Sequence, residues 1–188
     1  MNRILTKCVI DCETTGLNKF EHDLIQLAIL PVNEKLEPIK EPLNIRIKAV
    51  TPETATEVAL QINGLNPLEG LSITESRSTF ISWLASNGIE RIVPIGFNYL
   101  FDIGFLEKWL ILCELQYKDF FHYTIRDVFV LANCANDARR FQGLRPIFTS
   151  TSLGSVCKVL KIDHSSAHDA LSDCHLTLEA YKKLLLIS

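Results

Sequence analysis

The order of apolar and polar positions predicts that strands come first along the chain and helices later. Residues 7–13 form an apolar run that ends in carboxylates, residues 24–32 form a second apolar run, and residues 43–50 alternate. The polar stretch 17–23 is short enough for a hairpin connection. Because no helical period separates the three runs, we expect an antiparallel meander.

Helical signals dominate after residue 50. Thr51 followed by Pro52 predicts a helix start, and Gly64 predicts its end. Further helices are expected over 73–87, 100–115, about 127–134, 152–160 and about 166–186, with short strands at 91–95 and 123–125. A meander followed by strand–helix units predicts an α/β fold in which helices flank a mixed sheet of about five strands.

Length and composition favour one globular domain over residues 1–188. The chain has 188 residues, of which 47% are hydrophobic, so a core can form without disulfides or metals. Its six cysteines contain no C-x-x-C pair and are predicted to be free thiols, which favours the cytoplasm. The early Asp11 and Glu13 argue against a signal peptide, and no apolar run is long enough to span a membrane.

Candidate chemistry begins with two carboxylates at the end of the first predicted strand. Asp11 and Glu13 are two residues apart, so on a strand their side chains point to the same face. Carboxylates on one face repel each other unless a cation or a proton intervenes, and hard oxygen ligands suit Mg²⁺ or Mn²⁺. An acidic strand end that enters solvent explains this pair equally well when it is taken alone.

Three more candidates lie later in the chain. Asp102 follows a predicted strand, where α/β sheets bind ligands, although the helix dipole alone also favours an acid there. His168 and Asp173 are five residues apart and cannot share a helix face, so His168 must precede the helix, where it could act as a general base. An ordinary surface helix also explains both. A zinc site made by His164 and His168 with Cys174 or Asp173 is a weaker alternative, because no zinc signature accompanies it.

Taken together, the acidic segments resemble the three motifs of the DEDDh (DnaQ-like) 3′–5′ exonuclease family. Residues 11–16 are similar to its D-x-E-T-T-G motif, residues 98–102 to N-x-x-F-D, and residues 168–173 to H-x-A-L-x-D. Residues 62–65 resemble the segment that wedges at the terminal nucleotide, and residues 152–160 resemble the helix before the third motif. The resemblance implies a ribonuclease H-like fold.

The resemblance also implies a role for each motif residue. Asp11, Glu13 and Asp173 would hold one Mg²⁺ or Mn²⁺ ion directly. Asp11 would bridge to a second ion, to which Asp102 would contribute partly through water. His168 would deprotonate the attacking water, which a histidine with a pKa near 6.5 can do around neutral pH. The expected product is a nucleoside 5′-monophosphate released from a 3′ end.

Substrate contacts are expected from several further residues. By resemblance, Thr14 and Leu65 are candidates for gripping the terminal nucleotide, and Asn98 and Phe101 belong to the second motif. A basic segment without acids runs from 139 to 161 and could contact phosphates, although a solubilising loop explains it nearly as well. Its candidate contacts are Arg139, Arg140 and Arg145.

The leading hypothesis is therefore a two-metal 3′–5′ exonuclease acting on single-stranded DNA or RNA. The formal net charge of −3 disfavours extended non-specific binding to duplexes. One alternative is a nucleic-acid-binding or polymerase-partner module with little turnover of its own, and another is a hydrolase of small phosphodiesters. Proofreading would require a DNA polymerase or another protein partner in trans, and a homodimer stays open.

Overall fold

A mixed five-stranded sheet forms the centre of the fold. The computed structural model describes residues 4–164 and 169–187. The strands are β1 (Leu5–Thr14), β2 (Leu24–Val32), β3 (Leu43–Arg46), β4 (Arg91–Gly96) and β5 (Arg126–Asp127). Their spatial order is β3-β2-β1-β4-β5. The first three pair antiparallel, whereas β4 pairs parallel to β1 and β5 parallel to β4, so the predicted meander and mixed sheet are confirmed.

Helices cover both faces of this sheet. They are α1 (Glu57–Asn63), α2 (Ile73–Ser86), α3 (Tyr99–Leu112), α4 (Tyr117–Phe120), α5 (Val128–Phe141), α6 (Leu153–Val159) and α7 (Ala170–Leu185). Successive residues of β1 point to opposite faces. Cys8, Ile10 and Cys12 therefore pack in one core with α2 and α3, and Val9 packs in a second core with α5 and α7. The two layers place α3 and α7 on opposite sides of β1.

The third strand is shorter than predicted. Burial alternates through residues 43–50, as the pattern indicates, but the ladder with β2 ends at Arg46. Beyond it, Ile47 forms a parallel bridge with Leu71, and the Ala49 N–H donates to the Pro67 carbonyl. The apolar alternation therefore predicts correctly which side chains of residues 43–50 are buried. It does not predict that the backbone pairs with β2 only up to Arg46 and with Leu71 at Ile47.

Helix boundaries also differ from the predicted ones in places. Thr51 begins only a 3₁₀ turn over Pro52–Thr54, and α1 starts after Thr56, which caps it. Gly64 ends α1 in the left-handed conformation, as expected. Helix α5 continues past residue 134 to Phe141 because its solvent-facing residues are polar rather than helix-breaking.

The last strand also differs from the prediction, because it is Arg126–Asp127 instead of 123–125. Ser152, in contrast, caps α6 as predicted. Helix α7 begins at Ala170, and the earlier part of its predicted start lies outside the described residues. All six cysteines are free thiols, and within the described ranges no helix is long and apolar enough to cross a membrane.

Candidate active site

Three carboxylates from two elements meet at one face of β1. Asp11 and Glu13 lie on the strand, and Asp173 lies in the first turn of α7. One carboxylate oxygen of each lies within 4.8 Å of the others. Cys174 holds the helix against the sheet, because its buried thiol contacts the Val9 carbonyl at 3.6 Å. The same-face prediction for Asp11 and Glu13 is thus confirmed, and α7 supplies the third acid.

Asp102 approaches from the opposite side of the strand. It lies in the first turn of α3 and is only 4% exposed. Burial raises the pKa of Asp102 to about 8, although hydrogen bonds from the thiol and the N–H of Cys12 act in the opposite direction. Within the described residues Asp102 is not part of the three-carboxylate group, but its charge raises the pKa of Asp11. It therefore stands beside the cluster rather than in it.

Asp127 fixes the start of the helix that carries Asp102. Its carboxylate accepts the N–H groups of Asn98 and Tyr99, each at 3.0 Å, and also caps α5 by accepting the N–H of Phe129 at 3.0 Å. Asn98 adopts the left-handed conformation at φ 58°, which turns the chain from β4 into α3. The carboxylate thus holds the first turns of two helices, α3 and α5.

Burial and mutual repulsion perturb the clustered carboxyl groups. Burial is the main reason that the pKa of Asp11 lies well above its usual range, and the charges of Asp102, Asp173 and Glu13 add to it. Burial also raises the pKa of Glu13 to about 7, reinforced by Asp173 and opposed by a hydrogen bond from Asn63. A divalent cation bound among these oxygens would offset the repulsion. The donor set therefore fits a hard cation.

Gln26 connects the sheet to the N-terminus of α7. This residue is 2% exposed, and its Nε2 donates to Oδ2 of Asp169 and to Oδ1 of Asn44, each at 2.9 Å. Its Oε1 accepts the N–H of Ala170 at 3.4 Å. Asp169 directly follows His168 in the sequence. His168 itself lies outside the described residues, so its predicted role as a general base stays a prediction.

Asn63 connects the predicted wedge segment to the acidic strand. Its Nδ2 donates to the Thr14 carbonyl at 3.2 Å and to the carboxylate of Glu13. Its Oδ1 accepts the N–H of Leu65 at 3.0 Å. Leu65 is half-buried just beyond the end of α1. The structure thus brings the wedge segment next to the carboxylates, as the resemblance implies.

The other predicted substrate contacts are placed less directly. Thr14 is 7% exposed, and its hydroxyl donates to the Gly16 carbonyl at 2.7 Å. Phe101 is half-buried, with its ring centroid 5.0 Å from that of Phe105, so it belongs partly to the core. Leu100 is 76% exposed beside it and presents more apolar surface to solvent. The contact of Phe101 with substrate stays a prediction.

The three arginines lie away from the carboxylates, two of them on α5 and Arg145 just beyond it. Arg139 and Arg140 occupy the last turn of this helix, about 18–20 Å along its axis from Asp127. Arg140 pairs with Asp137 at 3.0 Å, and Arg139 Nε donates to the carbonyl of Arg145 at 3.2 Å. All three are exposed. Their cationic groups face solvent, and any contact with a substrate would be made at a distance from the terminal phosphodiester.

Sequence reasoning missed Gln26 as part of the site, and it placed Asn63 in the wedge segment without its contacts to the acidic strand. Gln26 was detectable as the only polar residue in the otherwise apolar strand β2, because a buried amide has to satisfy its hydrogen bonds. Asn63 offered a weaker signal, since a polar residue at the end of an exposed helix is ordinary. Its contacts depend on long-range folding that local patterns do not encode.

Comparison with known proteins identifies the class of protein. A family model described as exonuclease, of the RNase T type, matches residues 8–181. The chain therefore belongs to this exonuclease family, and the predicted DEDDh-type family and hydrolase class are confirmed. Ribonuclease T of Shewanella baltica (strain OS155) is 27% identical over 187 residues, which cover 92% of this chain and 78% of that protein.

Solved structures agree on the fold. A structure of exonuclease I aligns with a TM-score of 0.76 at 21% identity, covering 97% of this chain and 41% of that one. A zinc-bound complex of E. coli exonuclease I with single-stranded DNA aligns with a TM-score of 0.74 at 21% identity, covering 96% and 40%. The chain thus spans about two fifths of exonuclease I, and the predicted fold class is confirmed.

Proposed function

We propose that this protein is a metal-dependent 3′–5′ exonuclease that releases nucleoside 5′-monophosphates from single-stranded DNA or RNA. The observation that carries the proposal is the convergence of Asp11, Glu13 and Asp173, with ligand atoms within 4.8 Å, in a chain of the exonuclease family. Its relatives support the substrate class, because one is a ribonuclease and the other is seen with single-stranded DNA.

Two Mg²⁺ or Mn²⁺ ions are the proposed cofactors. Asp11, Glu13 and Asp173 would hold one ion, while Asp11 and Asp102 would hold the second, Asp102 partly through water. Bound divalent ions supply charge stabilisation for the attacking and leaving oxygens of an in-line displacement. Because Asp102 stands beside the three-carboxylate group and its charge is felt at Asp11, its position is consistent with the second site.

The remaining residues would bind the strand and move a proton. His168 would accept the proton of the attacking water, as a general base with a pKa near neutral can. Leu65, Thr14, Asn98 and Phe101 would contact the terminal nucleotides. The three arginines at the end of α5 would attract phosphates further along the strand.

The wider biological setting is also part of the proposal. We propose that residues 1–188 act as one catalytic domain in the cytoplasm. A homodimer and a DNA polymerase or another protein partner stay open.

The decisive assay uses a 5′-labelled single strand of one sequence, made as DNA and as RNA. It is run with Mg²⁺, Mn²⁺ or EDTA on the wild type and on Asp11→Asn and His168→Ala variants. The expected result is a ladder that shortens from the 3′ end only with metal and is lost in both variants. The faster substrate then distinguishes DNA from RNA.

Asp137→Asn is the matched control for the assay. It removes an exposed acid on α5 whose ion pair, within the part of the chain that the structure describes, is with Arg140, so the ladder should persist. If the folded wild type binds Mn²⁺ but shortens neither strand, the exonuclease proposal is wrong. Hydrolysis of bis(p-nitrophenyl) phosphate in that case would point to the small-phosphodiester alternative, and its absence would point to the binding module.

A further inference from the structure

We propose that Gln26 and Asp169 form a latch that sets the position of the first turn of α7, which carries Asp173, and that Gln26 is thereby a positioning residue of the reaction. This inference rests on the proposed function, because it assigns Gln26 its effect through Asp169 and Asp173. It concerns a buried strand residue outside the three motifs.

The register of the sheet brings Gln26 to the catalytic face. Gln26 lies on β2 directly opposite Glu13 on β1. Directly opposite residues of an antiparallel pair project to the same face. The side chain of Gln26 is therefore on the face that carries Asp11 and Glu13 and against which α7 packs.

The hydrogen bonds of Gln26 are directed mainly at the start of α7. A buried amide has two donor hydrogens and a carbonyl acceptor to satisfy. Here one donor goes to Asp169 and the acceptor receives the N–H of Ala170, while the other donor goes to Asn44 on the neighbouring strand. Two of the three interactions thus hold the cap and the first residue of α7. A leucine at this position would pack equally well among the apolar neighbours of β2, but it could make none of these three hydrogen bonds.

Asp169 is fixed at both of its oxygens. Oδ2 accepts from Gln26 at 2.9 Å, and Oδ1 caps the helix by accepting the N–H of Ser172 at 3.2 Å. The Asp169 carbonyl accepts the N–H of Asp173 at 2.9 Å, so the cap is also tied to the third acid of the cluster. Fixing Asp169 therefore sets the turn of α7 that carries Asp173.

The test exchanges the donor and the acceptor of the latch. Gln26→Glu keeps the shape of the side chain but removes both donors and faces one carboxylate with another. We expect kcat on the labelled strand to fall between about 10-fold and 100-fold, because a misplacement of about 1 Å has such an effect, with little change in KM. In the double variant Gln26→Glu/Asp169→Asn the asparagine can donate to the glutamate and still cap α7, so most of kcat should return.

Asn44→Ala provides the matched control. It removes the other partner of the same Gln26 amide on an exposed part of β3, so it should lower the melting temperature without lowering kcat. If Gln26→Glu does not fold, Asp169→Asn alone should show the loss of kcat. The asparagine can still cap α7, but its amide N–H group then faces the amide N–H group of Gln26.

The outcomes separate the latch from the proposed function. An active wild type whose kcat is unchanged by Gln26→Glu and Asp169→Asn would overturn the latch and leave the exonuclease proposal intact. Loss of kcat that the double variant does not restore, or an equal loss in Asn44→Ala, would show that Gln26 is only structural. A wild type inactive on every strand would refute the function first, and the latch's role in catalysis with it.

Discussion

The side-chain amide of Asn63 donates hydrogen bonds to the carboxylate of Glu13 and to the carbonyl oxygen of Thr14. Its own carbonyl accepts the N–H of Leu65, so one side chain joins the strand that bears the clustered carboxylates to the segment expected to grip the terminal nucleotide. The hydrogen bond to Glu13 favours its charged form, in opposition to burial. Metal binding and nucleotide binding should therefore depend on the same amide.

Replacing Asn63 by alanine tests this dependence. We expect Asn63→Ala to lower kcat/KM between about 10-fold and 100-fold, the range found when a hydrogen-bond partner of a metal ligand is removed. Affinity for Mn²⁺, measured by calorimetry, should fall in parallel. Asn66→Ala is the control, because Asn66 directly follows this segment and its side chain hydrogen-bonds, within the described residues, to Leu68 and Glu69. Equal effects in both variants would contradict a specific role for Asn63.

Stability should fall as pH rises when no divalent metal is present. Glu13 and Asp102 keep their protons in the folded chain up to a pKa of about 7 and about 8, whereas their ordinary values are 4.5 and 3.8. At a pH between the ordinary and the raised pKa of each group, the folded state binds more protons than the unfolded state. The free energy of unfolding therefore decreases as pH rises through this range. In EDTA the melting temperature should drop by about 3–5 °C per pH unit for each proton retained, measured from pH 5 to 8.

A bound metal ion and a substitution should each reduce the fall of the melting temperature with pH. Mn²⁺ should raise the melting temperature most near pH 8, where the carboxylates are charged and repel each other without it. Asp173→Asn should flatten the curve in EDTA because it removes one of the repelling charges, whereas the exposed Glu34→Gln should leave it steep. The pKa values of Asp23 and Asp169 are lowered from 3.8, so these groups change the stability only at a pH below the measured range of 5 to 8. A flat curve for the wild type in EDTA would contradict the repulsion.

The fold was largely predictable from local patterns because its strands and helices carry strong periodicity. The apolar run at 24–32 became a strand buried along its whole length, and the alternation at 43–50 matched the observed burial. What the pattern could not supply was the change of partner at Ile47, which pairs with Leu71. That pairing depends on a segment more than twenty residues away, and no local signal reports it.

The candidate site was predictable to the extent that it depends on motif order and strand geometry. The alternation of a strand already placed Asp11 and Glu13 on one face. In contrast, the approach of Asp102 from the opposite side, where it meets Cys12, follows from the packing of α3 on the other layer. The contacts of Gln26 with α7 span more than 140 residues, so they require the folded sheet.

The two-ion proposal predicts different consequences for two acids of the site. Asp173→Asn should abolish the tighter Mn²⁺ site, because it removes one of the three converging ligands. Asp102→Asn should leave that site intact and weaken the second, since Asp102 lies outside the three-carboxylate group. The amide oxygen of the introduced asparagine can still accept hydrogen bonds from Cys12. Calorimetric titration with Mn²⁺ in the presence of a nucleoside 5′-monophosphate measures both, with Asp137→Asn as control. One ion in the wild type, or identical losses in the two variants, would contradict a two-ion site.

The arginines at the end of α5 should act on long strands only. Arg139 and Arg140 lie about 18–20 Å along the helix from Asp127, so they cannot reach the terminal phosphodiester, but they can meet phosphates of the remaining strand. The triple variant Arg139→Ala/Arg140→Ala/Arg145→Ala should raise KM for a 20-nucleotide strand while leaving kcat and the hydrolysis of a dinucleotide unchanged. Each phosphate contact that is lost should reduce the slope of log KM against log salt by about 0.7. Arg77→Ala, a substitution of a half-buried arginine on α2, is the control for loss of a positive charge away from α5. Equal loss on the dinucleotide, or a salt slope unchanged by the triple variant, would show that these side chains serve solubility and that the strand leaves the site over another surface.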